Sequence, residues 1–439
     1  MNSRIGIIGE NSIEFIEILL DIWKNQNIAC IFDWRIPLSE IEFRIKEADI
    51  KLCYIQKNIL NKSISVCEYK EYEVKDSSFS FVPQYIYDNF TNNYSKSEAI
   101  ILYSSGTTGV AKGIKLSHYA INKNADMIHE CLNSKKDECV FLAKPMSHSS
   151  GLVTGLIHSL KYKVQLVVCN PTQSPTKNLY NIFNSNATTL LINPSLLKLF
   201  VLAQKKLNLN FHKLRIIRVS GSAITTELVN EAKACFGESI KILNGYGLTE
   251  TGPAITMQNM EDNSNGYVSV GKQLNGVELK IDIIENDIGK ILVKTPCLFI
   301  GYVSIGEDFE FQNGEWYNTG DIGRIDKEGN LFILGRQDNM FTVGGLNVYP
   351  EDIEKKLQEK IPQIEECVMI SNKNDLFGNK ITLYYSSSYK CDLNNKIREF
   401  CSDNLASYER PINIIKINSL PRNSNCKISR KADDYKKYE

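Results

Sequence analysis

Short unbroken apolar runs alternate along this chain with stretches whose apolar residues recur every three or four positions. Arg4–Ile8 reads as a short buried strand. The run Phe15, Ile16, Leu19, Leu20, Trp23 follows at helical spacing, with Asn11 and Glu14 placed as a capping-box start. The order repeats as a strand at Ile28–Phe32, a helix opened by Ser39 and Glu42, and a strand at Lys51–Ile55. Such alternation buries a mainly parallel sheet under covering helices, so the expected fold class is α/β, with a large N-terminal domain of layered sheets.

The pattern weakens between Lys57 and Lys96, which predicts an irregular connection before the apolar strand Ala99–Tyr103. Val140–Ala143, Val164–Val168, Leu190–Ile192, Ile216–Val219 and Ile240–Leu243 are further strand candidates, with a helix over Thr225–Cys235 among the segments between them. From Tyr267 to Leu334 segments shorten and glycines recur, which predicts a β-rich, mainly antiparallel subdomain. Asn347–Glu439 resumes mixed helix and strand, as a small α+β C-terminal domain would.

A length of 439 residues allows two or three domains, and 43% apolar with 23% charged residues is ordinary globular usage. The 51 Lys and Arg balance 51 Asp and Glu, so the electrostatic footprint of a nucleic-acid binder is missing and a small-molecule partner is the default. Twelve scattered cysteines without a C-x-x-C pair, and an amino terminus unlike a signal peptide, predict a reducing cytoplasm. No apolar run reaches the length of a membrane span, and the five histidines have no metal-ligand spacing.

Candidate chemistry concentrates in Tyr103–Gly113, Y-S-S-G-T-T-G-V-A-K-G, directly after an apolar strand. Ser104, Ser105, Thr107 and Thr108 offer hydroxyl donors to phosphate oxygens, Gly106 and Gly109 permit close backbone approach, and Lys112 adds a cation. The string is a phosphate cradle but not a Walker loop, since G-x-x-x-x-G-K-[ST] cannot be drawn through it. Further along stand P-M-S-H-S-S-G (Pro145–Gly151), N-G-Y-G-L-T-E-T (Asn244–Thr251), W-Y-N-T-G-D (Trp316–Asp321), G-R-Q-D (Gly335–Asp338), G-G-L-N-V-Y-P-E-D-I-E (Gly344–Glu354) and L-P-R-N-S-N-C-K-I-S-R (Leu420–Arg430).

In content and order these motifs resemble the adenylate-forming (AMP-binding) superfamily, and most of all its acyl- and aryl-coenzyme A ligases. The resemblance implies an ATP/AMP site built from Ser104–Gly109, Lys112, Gly221, Ser222, Ala223, Asn244, Gly245, Tyr246 and Gly247, with Asp321 on the ribose and Arg336 also on the nucleotide. It implies that Tyr246 stacks on adenine, that Thr249 bonds the α-phosphate, and that Glu250 with Thr108 holds Mg²⁺. His148 is implied as a gate where acid pocket meets thiol tunnel, with Ser149 and Gly252 in that pocket. Amino-acid-activating relatives carry Asp where Ser149 stands, so a free amino acid is disfavoured. Lys427 is implied to reach the reacting carboxylate and phosphate.

The implied organisation is an adenylate-forming domain over 1–337 and a small mobile lid over 338–439, hinged at Asp338, with the active site between them. The implied reaction activates a carboxylic acid, aryl or medium-chain, with ATP and Mg²⁺ through an acyl-adenylate. A thioester with coenzyme A, or with the phosphopantetheine of an acyl carrier protein, then follows. Two departures matter: Cys426 replaces the glycine usual before the lysine, and Ala111 replaces the proline of the phosphate loop. They keep open a third reading, a nucleotide-binding homologue without catalysis.

Overall fold

A computed structural model describes residues 2–60, 63–75, 79–103, 112–132, 137–260, 269–303, 314–343, 346–374, 378–389, 392–422 and 428–438. The chain divides into two compact units. The first comprises Met1–Lys280, Leu292–Tyr317 and Asp326–Leu331, and the second Ile281–Ile291, Asn318–Ile325 and Phe332–Glu439.

The first unit holds two sheets. One runs in the spatial order Gly301–Tyr302, Gly113–Ser117, Glu98–Tyr103, Ile28–Phe32, Arg4–Ile8, Leu52–Gln56, Glu68–Tyr72, parallel from Glu98–Tyr103 onward and antiparallel at the other edge. Every residue of Ile28–Phe32 is buried, and successive residues feed different cores. Ala29 and Ile31 pack with Ile7, Phe15 and Leu19, whereas Cys30 and Phe32 pack with Ile8, Ile41 and Ile45. A strand covered on both faces needs an unbroken apolar run, which is what the sequence supplies.

The other sheet has eight strands: Lys272–Gln273, Gly252–Asn259, Lys241–Leu248, Ile216–Ser220, Thr189–Ile192, Cys139–Leu142, Gln165–Val168 and Ser80–Phe81. Its five inner strands, from Lys241–Leu248 to Gln165–Val168, are parallel, and antiparallel strands close both edges. A π-helical segment, Ser150–Ile157, covers one face of this sheet. A Cβ on Gly155 would lie 2.7 Å from Leu142 Cδ1 and 3.2 Å from Leu191 Cδ2, so only glycine lets the segment sit that close.

Three local expectations are corrected. The first helix, Ile13–Lys24, is capped by Ser12, whose side chain accepts from Phe15 N, not by Asn11. Asn11 is instead buried, donating to Lys144 O at 2.8 Å and accepting from Met146 N at 2.8 Å. The second helix, Leu38–Glu47, has Pro37 at its N-cap, and Glu42 accepts from Ser65 rather than serving that cap. The weakly patterned Lys57–Lys96 stretch contains a strand at Glu68–Tyr72, a two-residue strand at Ser80–Phe81 and a helix at Gln84–Asn89. Glu68–Tyr72 is an exposed edge strand held by its parallel ladder to Leu52–Gln56, so burial writes no alternation into it.

In the second unit, Glu366–Asn374, Gly378–Ser386 and Asn413–Lys416 form a three-stranded sheet, with helices at Pro350–Lys360 and Asn394–Asn404. Ile353, Leu357, Leu383, Tyr385 and Ile397 meet in its core. Arg430 bonds Glu354 in bidentate fashion at 2.8 and 2.5 Å, and Glu354 also accepts from Met369 N at 2.6 Å. This pair, with its carboxylate buried and its guanidinium partly exposed, ties the chain end at Arg430 to the helix. A further sheet orders Glu278–Glu285, Ile288–Lys294, Tyr317–Ile325 and Leu331–Arg336. Among the described residues no helix is long and apolar enough to cross a membrane, and the ten described cysteines are free.

Candidate active site

Ligands of open α/β sheets gather at the carboxyl ends of the parallel strands, and the N-G-Y-G-L-T-E-T motif emerges at such an end. Lys241–Leu248 continues past its parallel partner Ile216–Ser220 and turns back into Gly252–Asn259, with a bulge between Tyr246 and Leu248. Glycine makes that turn possible. A Cβ on Gly247 would lie 2.5 Å from Gly252 O and 2.5 Å from Pro253 C, and Gly252 itself has φ +88°. Thr251 Oγ1 accepts from Leu248 N at 3.2 Å and so braces the loop. Tyr246, Thr249 and Glu250 are left half-buried.

Two predicted residues from distant motifs meet here: Ser149 Oγ and Thr249 Oγ1 are 2.9 Å apart. Glu250 accepts a hydrogen bond from Tyr302 at 3.3 Å, and the Lys112 ammonium stands 4.9 Å from the centroid of the same ring. Tyr302 therefore links the end of the phosphate-loop motif to the acidic residue of the turn. Asn244, 2% exposed, is committed to the backbone through a donor bond to Ser269 O at 3.1 Å. Gly221, Ser222 and Ala223 are exposed just beyond the adjacent strand, and Gly221 has φ +101°.

His148 sits apart from the Ser149–Thr249 contact. Its Nε2 is 3.5 Å from an Arg35 nitrogen and 3.8 Å from Asp33 Oδ2, and its side chain is 55% exposed. Asp33 in turn accepts from Arg35 at 2.7 and 2.5 Å. Burial opposes the charged form of Asp33, but the hydrogen bonds and charge of Arg35, with His148, outweigh it and hold the carboxyl below its ordinary range.

In the second unit Asp321 and Arg336 are brought together. Arg336 Nη1 donates to Asp321 Oδ1 at 2.9 Å and to Thr319 O at 3.0 Å, while Thr319 Oγ1 accepts from Asp321 N at 3.1 Å. Gly320, with φ +72°, makes room: a Cβ there would lie 2.8 Å from Arg336 Nη2. Asp338 is exposed in a single 3₁₀ turn, Gln337–Asn339. Ser104, Ser105, Gly106, Thr107, Thr108, Gly109, Ala111, Gly344, Cys426 and Lys427 lie outside the described residues.

Among the buried cations that the sequence reading missed, two lie on the sheet face under Ser150–Ile157. Lys144 is 3% exposed and donates to Ser220 O at 2.9 Å, Ser220 Oγ at 2.6 Å and Ser150 Oγ at 3.4 Å. Arg218 is 4% exposed, and its Nε has no hydrogen-bond partner. Burial, then repulsion from Arg218, push Lys144 down to about 7, and burial pushes Arg218 down to about 10 against the opposing charge of Glu138. The signal was present as single charged residues inside the apolar runs C-V-F-L-A-K-P and I-I-R-V.

Magnesium requires oxygen ligands and keeps several waters, so it is held by one or two carboxylates plus substrate phosphates rather than by a full protein cage. Glu250 fits that demand as a single half-buried carboxylate beside the Lys112–Tyr302 contact. Among the described residues no three His, Cys, Asp or Glu side chains gather into a metal cluster.

These folded features define an α/β architecture seen in solved structures. o-Succinylbenzoate CoA synthetase (MenE) from Bacillus subtilis superposes with a TM-score of 0.81 at 22% identity, over 98% of this chain and 87% of that one. The pattern described as AMP-binding enzyme matches residues 1–303, and the chain belongs to that family. Relatives include the 2-succinylbenzoate–CoA ligase of Lactococcus lactis, 25% identical over 98% of this chain and 90% of that protein. The malonate–CoA ligase of Arabidopsis thaliana is 27% identical over 98% of this chain and 77% of its own length.

Proposed function

We propose that this protein is an AMP-forming acid–thiol ligase. A substrate carboxylate attacks the α-phosphorus of ATP and expels pyrophosphate; the thiol of coenzyme A then attacks the acyl-adenylate and expels AMP. The observation that carries the reading is the glycine-shaped turn Gly247–Gly252, which holds Thr249 against Ser149 and Glu250 against Tyr302 at the carboxyl end of a parallel strand. Membership of the AMP-binding family and relatives named as CoA ligases support the same reaction.

The chemistry needs positioning and charge neutralisation more than covalent participation. Thr249 is assigned to the α-phosphate, Tyr246 to adenine, and Ser104–Gly109 with Lys112 to the phosphates. Asp321 is assigned to the ribose, held in orientation by Arg336. Mg²⁺ bound at Glu250, with Thr108, would supply neutralising charge beside the phosphates. Lys427 is assigned to the reacting oxygens, His148 to gating of the thiol, Ser149 and Gly252 to the acid pocket, and Asp338 to a pivot between an adenylating domain over 1–337 and a lid over 338–439. The same reading puts the protein in the cytoplasm, where ATP and coenzyme A are supplied.

Acid-dependent release of pyrophosphate from ATP, followed by thioester formation on adding coenzyme A, tests the proposal. Pyrophosphate release with transfer only to a carrier-protein pantetheine would keep the first half-reaction and change the acceptor. ATP binding without pyrophosphate release, across aryl and aliphatic acids, would overturn it in favour of a homologue that binds nucleotide without catalysis.

A further inference from the structure

Lys144 and Arg218 lie on one face of the eight-stranded sheet, beneath the segment that follows Ser149. Arg218 is in register with Leu191 and Leu243, and Ser220, two residues further along the strand, points to the same side. Lys144 reaches that side from just beyond Cys139–Leu142, which lies across Thr189–Ile192 from the Arg218 strand, and bonds Ser220 and Ser150. Ser150 adjoins Ser149, which touches Thr249. Lys144 therefore bonds the chain neighbour of Ser149, a residue assigned to the acid pocket.

Its partners are two hydroxyls and a carbonyl, which satisfy its donors and neutralise none of its charge. Among the described residues no carboxylate lies within ion-pair distance of Lys144 or of Arg218, although both are almost fully buried. Glu138 acts on Arg218 only at longer range. A lysine serving only to tie two strand ends would gain nothing from a second cation beside it, and Arg218 Nε is left without a hydrogen bond. Buried cations with no carboxylate in contact are what an anion-binding subsite looks like before its ligand arrives.

We propose that the acid activated by this enzyme is a dicarboxylate, whose second carboxylate is received by Lys144 with Arg218 behind it while the first is activated at Thr249. The inference rests on the acid–thiol ligase reading for the first carboxylate alone. A bound carboxylate at Lys144 replaces neutral acceptors by a charged one and removes the like-charge repulsion between the two cations. A monocarboxylate of the same skeleton would leave the cations unpaired and bury a methyl or ring edge against them. Discrimination against it arises from that unpaired buried charge as much as from attraction to the correct acid.

The test compares matched acids, hexanoate against adipate and benzoate against the phthalate isomers, in pyrophosphate release by wild type, Lys144→Met and Lys144→Arg. Wild type should favour the better diacid over its monoacid by at least about tenfold in kcat/KM, with the difference mainly in KM. Lys144→Met should lower that ratio by about 30-fold or more, the range expected for one buried charged partner, whereas Lys144→Arg should keep a preference for the diacid. Equal kcat/KM for all matched pairs in wild type, or an undiminished ratio in folded Lys144→Met, would overturn the proposal. Thermal unfolding separates this from failure of the parent reading. If no acid supports pyrophosphate release, a diacid that raises the Tm of wild type but not of Lys144→Met still supports the subsite, and equal shifts from monoacid and diacid reject it.

Discussion

Replacing Lys144 by methionine should stabilise the ligand-free protein near neutral pH and destabilise it in alkali. Burial and the Arg218 charge bring Lys144 from its ordinary 10.5 down to about 7. At about 1.4 kcal/mol for each tenfold change in proton affinity, a charged Lys144 costs the folded state about 5 kcal/mol. Methionine has similar bulk but loses the bonds to Ser220 O, Ser220 Oγ and Ser150 Oγ. At about 1 kcal/mol each, those bonds offset about 3 kcal/mol of the gain. The balance near pH 7 is a Lys144→Met protein more stable by about 1–2 kcal/mol. The sign then reverses. The unfolded chain keeps this proton up to about pH 10.5 and the folded one only to about 7, so the unfolded state binds more protons in that window and wild-type stability rises with pH. Above it the charge penalty is gone, and the variant should be weaker by about 2–3 kcal/mol, with the curves crossing at about pH 8–9. Urea unfolding of both proteins across this range measures the difference directly. A difference that stays constant from neutral to alkaline pH would refute the buried, uncompensated charge from which the diacid subsite is argued.

Other perturbations test separate parts of the site. Asp321→Ala removes a carboxylate 5% exposed and bonded to Arg336, and should raise the KM for ATP at least about tenfold while changing the KM for the acid less; equal changes in both would remove Asp321 from the ribose. Gly247→Ala puts a Cβ 2.5 Å from backbone atoms of Gly252 and Pro253, so adenylation should fall by more than about tenfold as Thr249 shifts. Retention of full activity would mean the turn does not position Thr249. Arg430→Met strands the buried Glu354 carboxylate and should lower stability by about 3–5 kcal/mol, read as an earlier unfolding midpoint. Asp338→Pro fixes φ at the proposed pivot and should lower thioester formation at least about tenfold more than adenylation; matched losses would reject the pivot.

Much of the architecture could be read from the chain because burial on both sheet faces leaves a strong pattern. Ile28–Phe32 is apolar at every position, since alternate residues serve different cores, and such a run has few other readings. Glu68–Tyr72 escaped because an exposed edge strand is specified by its backbone ladder. Asn11 was assigned to a helix cap because local spacing cannot reveal a partner such as Lys144 O, 133 residues away. The motifs holding Gly247–Gly252, Asp321 and Arg336 stood out because each is compact, but the bond between Asp321 and Arg336, which belong to separate motifs, was not foreseen. Lys144 and Arg218 did not stand out, since a lone charge inside or just after an apolar run reads equally well as a strand position open to solvent. Only the registers of Cys139–Leu142, Thr189–Ile192 and Ile216–Ser220 bring the two cations onto one face.

Adenylation and thioester formation are both read by following ATP, AMP, pyrophosphate and thioester together in one reaction, with carboxylic acid and coenzyme A each added or withheld. Pyrophosphate should form only when acid is present, and AMP and acyl-coenzyme A should appear in equal amounts once the thiol is added. Formation of ADP and inorganic phosphate, or ATP binding with no acid-dependent pyrophosphate from any acid in the panel, would contradict the acid–thiol ligase reading.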